Sequence, residues 1–176
     1  GMRVRFVPTD DDERARTPDA RAEEAAPARA LIVVRAPALA TVQDGGRAGR
    51  LAMGLPPSGP LDPSAMTSAS FAVGNTPDDA AVEIPRGTLV VRARGRLRVS
   101  VDGAPASVIE DGDEMTIPEV TRAVRYLAIA GGVDVPEVLG ARATLVATAL
   151  GGFRGRPLRA GDVVPLRADH GCAART

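Results

Sequence analysis

Between Thr41 and Asp62 the chain reads TVQDGGRAGRLAMGLPPSGPLD, setting Gln43, Asp44, Arg47, Ser58 and Asp62 among five glycines and three prolines. These side chains offer neutral hydrogen-bonding groups (Thr41, Gln43, Ser58), fixed cations and two carboxylates. That is a set able to orient a small polar ligand and to move a proton. Glycines such as Gly59 let backbone approach a ligand closely, and connections this long often carry function. The same residues also suit an ordered crossing loop in which Asp44 and Asp62 cap turns.

Further candidates lie downstream. AIAGG, Ala128 to Gly132, ends a strongly apolar run and leads into VDVPEVLGARAT. Gly131 and Gly132 suit either a ligand loop or a strand bending at a barrel corner, and Arg142 can present a planar fork to a carboxylate or phosphate. Glu83, flanked by Val82 and Ile84, alternates away from them, as a ligand hook or as an exposed carboxylate. Arg92, Arg94, Arg96 and Arg98 alternate with apolar residues around Gly95, which predicts a basic face neutralised by Glu110, Asp111, Asp113 and Glu114. His170 and Cys172 stand two apart in a polar tail, two ligands short of a metal site, so no metal is expected.

Composition removes whole classes of chemistry. Every one of the 22 basic residues is arginine, so a lysine Schiff base, a P-loop lysine and a kinase-type lysine are all excluded. A single histidine near the C-terminus argues against a Ser/His/Asp triad. Twenty-two acidic residues balance the arginines and only four aromatics exist, so nucleic acid is not an expected partner. The lone Cys172 permits no internal disulfide, the opening residues turn acidic without a secretory pattern, and no apolar run spans a bilayer. No membrane partner is expected, and a cytoplasmic location is.

The elements that must position these groups are short. With roughly 150 residues per domain, 176 residues predict one domain. MRVRFV alternates as a strand and the Pro-, Ala- and charge-rich residues to 30 read as a linker, so 1–30 is assigned as strand plus tether, 31–167 as the folded domain and 168–176 as a polar tail. Strands are predicted at 31–35, 81–84, 88–93, 97–101, 106–109, 114–117, 123–130 and 162–166, with Asp102-Gly103 and Gly112 turning two hairpins between Leu97 and Ile117. One helix starts at Asp62 as N-cap with Pro63 first, buries Met66, Ala69 and Val73, and stops at Gly74-Asn75. A second short helix is expected around Pro136 to Leu139. The chain is therefore predicted to be mainly β, a barrel or sandwich.

Four ordered segments carry a resemblance: TVQDGGRAGRLAMGLPPSGPLDPSAM, VGNTPDDAAVEI, YLAIAGGVDVPEVLGARAT and LGGFRGRPLRAGDVVPL. Over about Leu31 to Leu166 they resemble the N-terminal half of the biotin-dependent carboxyltransferase family, also called allophanate hydrolase subunit 2 or the C-type subunit of 5-oxoprolinase. The resemblance implies a cyclophilin-like β-barrel with one or two short helices. It also implies work beside a companion B-type subunit of the kinase inhibitor family, in ATP-dependent 5-oxoproline cleavage or in carboxyl transfer from carboxybiotin to urea. No group would then be covalently held here, ATP or carboxybiotin would come from the partner, and the ligand would be a small amide or urea-like molecule. Positions matching the family pattern are Thr41, Gln43, Asp44, Arg47, Ser58, Gly59, Asp62, Asn75, Glu83, Gly131, Gly132 and Arg142. In this reading Arg47 and Arg142 hold a carboxylate or carbonyl, Gln43 and Ser58 make neutral hydrogen bonds, and Asp44 or Asp62 orients the arginines or accepts a proton.

Departures from the family pattern are Arg50 for Tyr, Thr67 for Arg, Ser70 for Asn, and ARAT at Ala141 to Thr144 for an SRST-like motif. Family members usually run to about double this length, so strand edges left open here favour a homo-oligomer. RVRFVP also resembles the last strand of the companion protein, as in a chain derived from a fused pair. The other reading is a non-catalytic module that docks on a kinase inhibitor family protein of the B type through a barrel edge or the arginine stripe.

Overall fold

The computed structural model describes residues 26–169. They form nine strands and one α-helix: β1 (Ala30–Arg35), β2 (Thr41–Gln43), α1 (Pro63–Ala72), β3 (Ala81–Pro85), β4 (Leu89–Arg94), β5 (Leu97–Val101), β6 (Ser107–Ile109), β7 (Glu114–Ile117), β8 (Val124–Ile129) and β9 (Val163–Pro165). Period-two alternation explains most of the strands. In β4, Leu89, Val91 and Ala93 are buried, while the intervening Val90, Arg92 and Arg94 are not.

Two antiparallel sheets result, one ordered β7-β4-β1-β9 and the other β2-β3-β8-β5-β6. Their inner faces enclose one core that includes Leu31, Val33, Val82, Ile84, Leu89, Val91, Leu127 and Ile129. Each fully buried Leu or Ile contributes roughly 1.5–3 kcal/mol there. The outer face of the second sheet is covered by α1 and its C-cap residue, where Met66, Ala69 and Val73 pack on Ala81, Tyr126 and Ala128. Strand β8 therefore lies between two apolar layers. Tyr126 through Ala130 are all buried, the near-continuous pattern of a strand covered on both faces.

The expected mainly β architecture and the helix both hold. Asp62 accepts the Ala65 N–H at 3.0 Å and Pro63 occupies the first turn. Asp62→Ala is expected to cost about 1 kcal/mol in urea unfolding, because one first-turn N–H loses its partner. A cost below a few tenths would show that the cap is dispensable.

Four expectations are corrected. Thr41–Gln43, read as the start of a long loop, is a short edge strand against β3. Only one of the two hairpins forms: β6 pairs with β5, but β7 crosses to pair with β4 in the other sheet, where Ile117 and Met115 reach the core. Burying those side chains outweighs the local turn. No helix forms at 136–139; Val138 bridges Ala141 across a two-residue turn in which Leu139 and Gly140 both have positive φ. The arginine stripe is broken at Gly95, so Arg92 lies in the first sheet and Arg98 in the second. Arg92 pairs with Glu114, Arg96 with Glu110 and Arg98 with Asp169, which agrees with a largely neutralised face. β1 starts at Ala30, one residue before the expected domain boundary. The strand expected at Met2–Val7, the linker to residue 25, and His170 and Cys172 lie outside the described residues.

Candidate functional site

The loop after β2 is built around two buried charged side chains. Asp44 directs Oδ1 to the N–H groups of Gly46 (3.0 Å) and Ala143 (3.1 Å), and Oδ2 to the N–H of Arg142. Arg47, only 1% exposed, donates Nε to the Val138 carbonyl (3.0 Å), Nη1 to Ser58 Oγ (3.3 Å) and Nη2 to the Ala143 carbonyl (2.6 Å). Acid and base do not pair with each other; each ties down main chain. Gly46, at φ 85°, lies so close to the next segment that a Cβ would come within 2.8 Å of the Pro57 carbonyl and 3.2 Å of Gly59 Cα. Residues 44–47, 57–59 and 138–143 are thereby locked into one wall.

Thr144 extends that wall along the β2 edge. Its N–H and its hydroxyl both donate to the Val42 carbonyl, at 2.9 and 2.8 Å. The Arg47 side chain and the Arg142 main chain thus meet in one wall. The two guanidinium groups differ in availability. Arg47 is engaged by the protein at all three nitrogens, which leaves it a clasp rather than a ligand-facing fork.

A row of polar side chains crosses the α1 side of the second sheet, because cross-strand partners share a face. Thr41 pairs with Glu83 and Glu83 with Tyr126. Two residues along β2, Gln43 sits on the same face and donates Nε2 to Thr41 Oγ1 (3.0 Å) and to the Thr144 carbonyl (3.3 Å). The carbonyl partner fixes the orientation of the amide. Gln43 Oε1 is buried with no hydrogen-bond partner. Glu83 Oε2 accepts the Leu61 N–H at 2.7 Å and the Tyr126 hydroxyl at 2.8 Å, while that hydroxyl accepts the Asp62 N–H at 2.8 Å. Sheet and loop meet at this triangle.

Asn75, Gly131 and Gly132 form a different set. Asn75 donates to the Ile129 carbonyl (2.8 Å) and accepts the Gly131 N–H (2.9 Å). At Gly131, φ 89°, a Cβ would strike the Ala168 carbonyl, so its glycine is required by close packing of the chain after β9. Gly132 is similarly crowded by the Arg167 side chain. This close packing accords with the barrel-corner reading of AIAGG. Among the described residues no group of three or more His, Cys, Asp or Glu is arranged to hold a metal ion, and no helix is long and apolar enough to cross a membrane.

Comparison with known proteins places this geometry. Residues 53–176 match the family model described as carboxyltransferase domain, subdomain A and B. The chain belongs to the carboxyltransferase domain family. It is similar to the C-type subunit of 5-oxoprolinase from Escherichia coli, 34% identical over 77% of this chain and 49% of that one. It is also similar to the urea amidolyase of Lachancea kluyveri, 36% identical over 73% of this chain and 8% of that one. In structure it is similar to the urea amidolyase of K. lactis, with a TM-score of 0.78 and 32% identity over 85% of this chain and 10% of that one. The chain thus spans about half the length of the Escherichia coli protein it matches.

Within this carboxyltransferase domain, sequence reasoning missed Tyr126 as a site residue. Its only signal was rarity, a single tyrosine inside an apolar strand. Burial raises its pKa well above the ordinary phenol value, the Asp62 N–H offsets part of that, and the Glu83 carboxylate adds to the rise. The neutral phenol is therefore favoured in the folded state, so this contribution to stability is complete below about pH 10 and is lost as pH rises beyond it. Because there is one tyrosine, tyrosinate absorbance should stay silent through pH 10 until the domain unfolds. A normal phenol titration in the folded protein would refute the buried triangle. Tyr126→Phe, which orphans the Asp62 N–H, is expected to cost about 1–2 kcal/mol.

Proposed function

We propose that this chain binds a small amide or urea-like substrate for a 5-oxoprolinase- or urea carboxylase-type reaction, ATP-dependent amide hydrolysis or carboxyl transfer, with a B-type partner of the kinase inhibitor family. The names of its relatives supply the reaction class. The observation that carries the substrate class is Gln43: an amide oxygen in a residue 5% exposed, without a partner, beside Thr41 and Glu83. A buried acceptor left open is costly unless something donates to it, and an amide or urea N–H has the matching chemistry.

The roles of the other candidates follow from what already occupies them. Asp44, Arg47, Ser58 and Gly59 build the wall; Asp62 caps α1 and is held by Tyr126. Glu83 and Asp62 each keep one carboxylate oxygen unengaged, and Glu83, beside Gln43 and Thr41 on the sheet, is the one set to accept a proton in this reading. In this reading ATP or carboxybiotin is delivered by the partner.

The test has two arms. Calorimetric titration with 5-oxoproline and with urea should show binding that Gln43→Met weakens about tenfold, the cost of a lost buried hydrogen bond. Turnover of ATP should require a co-purified partner of the kinase inhibitor family. Absence of binding, and of turnover with and without the partner, would leave the chain a docking module.

A further inference from the structure

The two ends of the sandwich differ in charge. Strand β1 starts at Ala30, opposite Arg94, and ends at Arg35. At the Ala30 end the charges are matched: Glu114 pairs with Arg92, Glu110 with Arg96, and Asp111 accepts the Gly95 N–H at 2.7 Å. The Arg35 end is built from three loops that touch. The Leu158 N–H donates to the Ala40 carbonyl at 2.7 Å, the Gly161 N–H to the Val33 carbonyl at 2.8 Å, and a Cβ on Gly87 would come within 2.6 Å of Pro37. Residues 35–40, 85–88 and 153–162 together hold five arginines and one aspartate, in a chain with no net charge. The adjoining 118–123 connection adds Glu119 and Arg122, which cancel.

That one aspartate is already taken. Asp162 accepts Arg156 Nη1 at 2.8 Å, Nη2 at 2.7 Å and the Arg159 N–H at 2.8 Å. Burial pushes the Asp162 carboxyl up, but the Arg156 pair and the Arg159 N–H outweigh it and hold the group below its ordinary value, and the Arg154 charge adds to the fall. Arg154 thus stands beside the same carboxylate, with its guanidinium 5.2 Å from the centre of the Phe153 ring. Arg35, Arg86, Arg154 and Arg159 are all exposed, and none has a side-chain hydrogen bond or ion pair among the described residues. Four unmatched planar forks around one end face attract carboxylates and suit their geometry.

The chain itself carries the matching group. Asp10, Asp11, Asp12 and Glu13 are consecutive, four carboxylates for four guanidinium groups. Sixteen residues separate Glu13 from Ala30 and can span at most roughly 55 Å, whereas the six residues of β1 measure about 20 Å. The acidic run can therefore reach the far end of β1. We infer that residues 10–13 dock on the arginine end face formed by loops 35–40, 85–88 and 153–162, and mask it from acidic segments of other proteins. Because run and face belong to one chain, the contact is intramolecular, and individually weak pairs suffice to hold it.

The experiment compares the whole chain with a neutralised one, in which Asp10, Asp11 and Asp12 are changed to Asn and Glu13 to Gln. The amide NMR shifts of Gly87, Arg154 and Gly161 should differ between the two, and the parent should move to the neutralised values in about 0.5 M sodium chloride. Glu23→Gln with Glu24→Gln, which removes two carboxylates elsewhere before β1, should leave the parent shifts in place. A labelled peptide of residues 9–14 gives a second readout by fluorescence polarisation. The neutralised chain should bind it at least about tenfold more tightly than the parent, whose own run competes. Arg154→Gln with Arg159→Gln should remove that binding, and Arg94→Gln at the other end should retain it. The first pair has exposed side chains without hydrogen bonds in the described fold, so loss of binding with unchanged urea unfolding reads the face and not the stability. Equal peptide affinity in parent and neutralised chains overturns the self-docking and leaves the face open to acidic segments of other proteins. Shifts that respond equally to the Glu23 and Glu24 changes overturn the choice of residues 10–13. Identical spectra without peptide binding overturn both face and occupant.

Discussion

The Arg47→Met variant is expected to be less stable than the parent chain by about 4 kcal/mol, near the top of the range for single substitutions. Methionine roughly matches the length of the arginine stem, so little volume is lost. What disappears is a set of three donors, leaving the Ala143 carbonyl and the Ser58 hydroxyl without one and the Val138 carbonyl with only the Ala141 N–H. Each buried acceptor left open costs about 1–3 kcal/mol, and the bonds lost are charge-assisted. Arg47→Lys keeps the charge but replaces the fork by a point donor, so it should recover less than half of the loss. Urea unfolding at neutral pH reads both variants, with an unchanged m value as the sign that the folded state is retained. A midpoint shift equivalent to less than about 1 kcal/mol for Arg47→Met would refute the clasp and return Arg47 to ligand binding.

Asp44→Asn is expected to cost about 2–3 kcal/mol, though it changes a single atom. Both carboxylate oxygens accept main-chain N–H groups, Oδ1 from Gly46 and Ala143 and Oδ2 from Arg142. The amide keeps one oxygen and turns an NH2 group toward N–H groups it cannot accept from. Asp44 and Arg47 hold the same 142–143 segment, so the double variant should fall short of the sum of the single ones by about 1 kcal/mol or more. Strict additivity in thermal or urea unfolding would show that the two side chains hold independent segments.

Much of this site is legible in residue types, and its grouping is not. The Thr41 to Asp62 stretch stands out by its glycines, prolines and polar residues, and Asp44, Arg47 and Ser58 do converge there. Their roles escape a reading of the sequence because residue type cannot say which acceptors a guanidinium meets: carbonyls from residues 138 and 143 reach Arg47 only once the chain has folded back. Tyr126 escapes for the same reason. A tyrosine in an apolar strand is ordinary until Glu83, its register partner, and the Leu61–Asp62 main chain arrive at its hydroxyl.

The alternation of apolar and polar residues determined most of the strands and the α1 face, though not β2, since side-chain direction has a period fixed by local backbone geometry. The Asp62-Pro63 start of α1 was likewise local. Which strand joins which sheet was decided only in three dimensions. Adjacent β6 and β7 part company because β4 offers β7 a buried partner that no neighbouring residue advertises. The same holds for the polar residues: local sequence put donors and acceptors on the chain, and long-range packing determined that Arg47 would spend its donors inside while Arg142 would keep them.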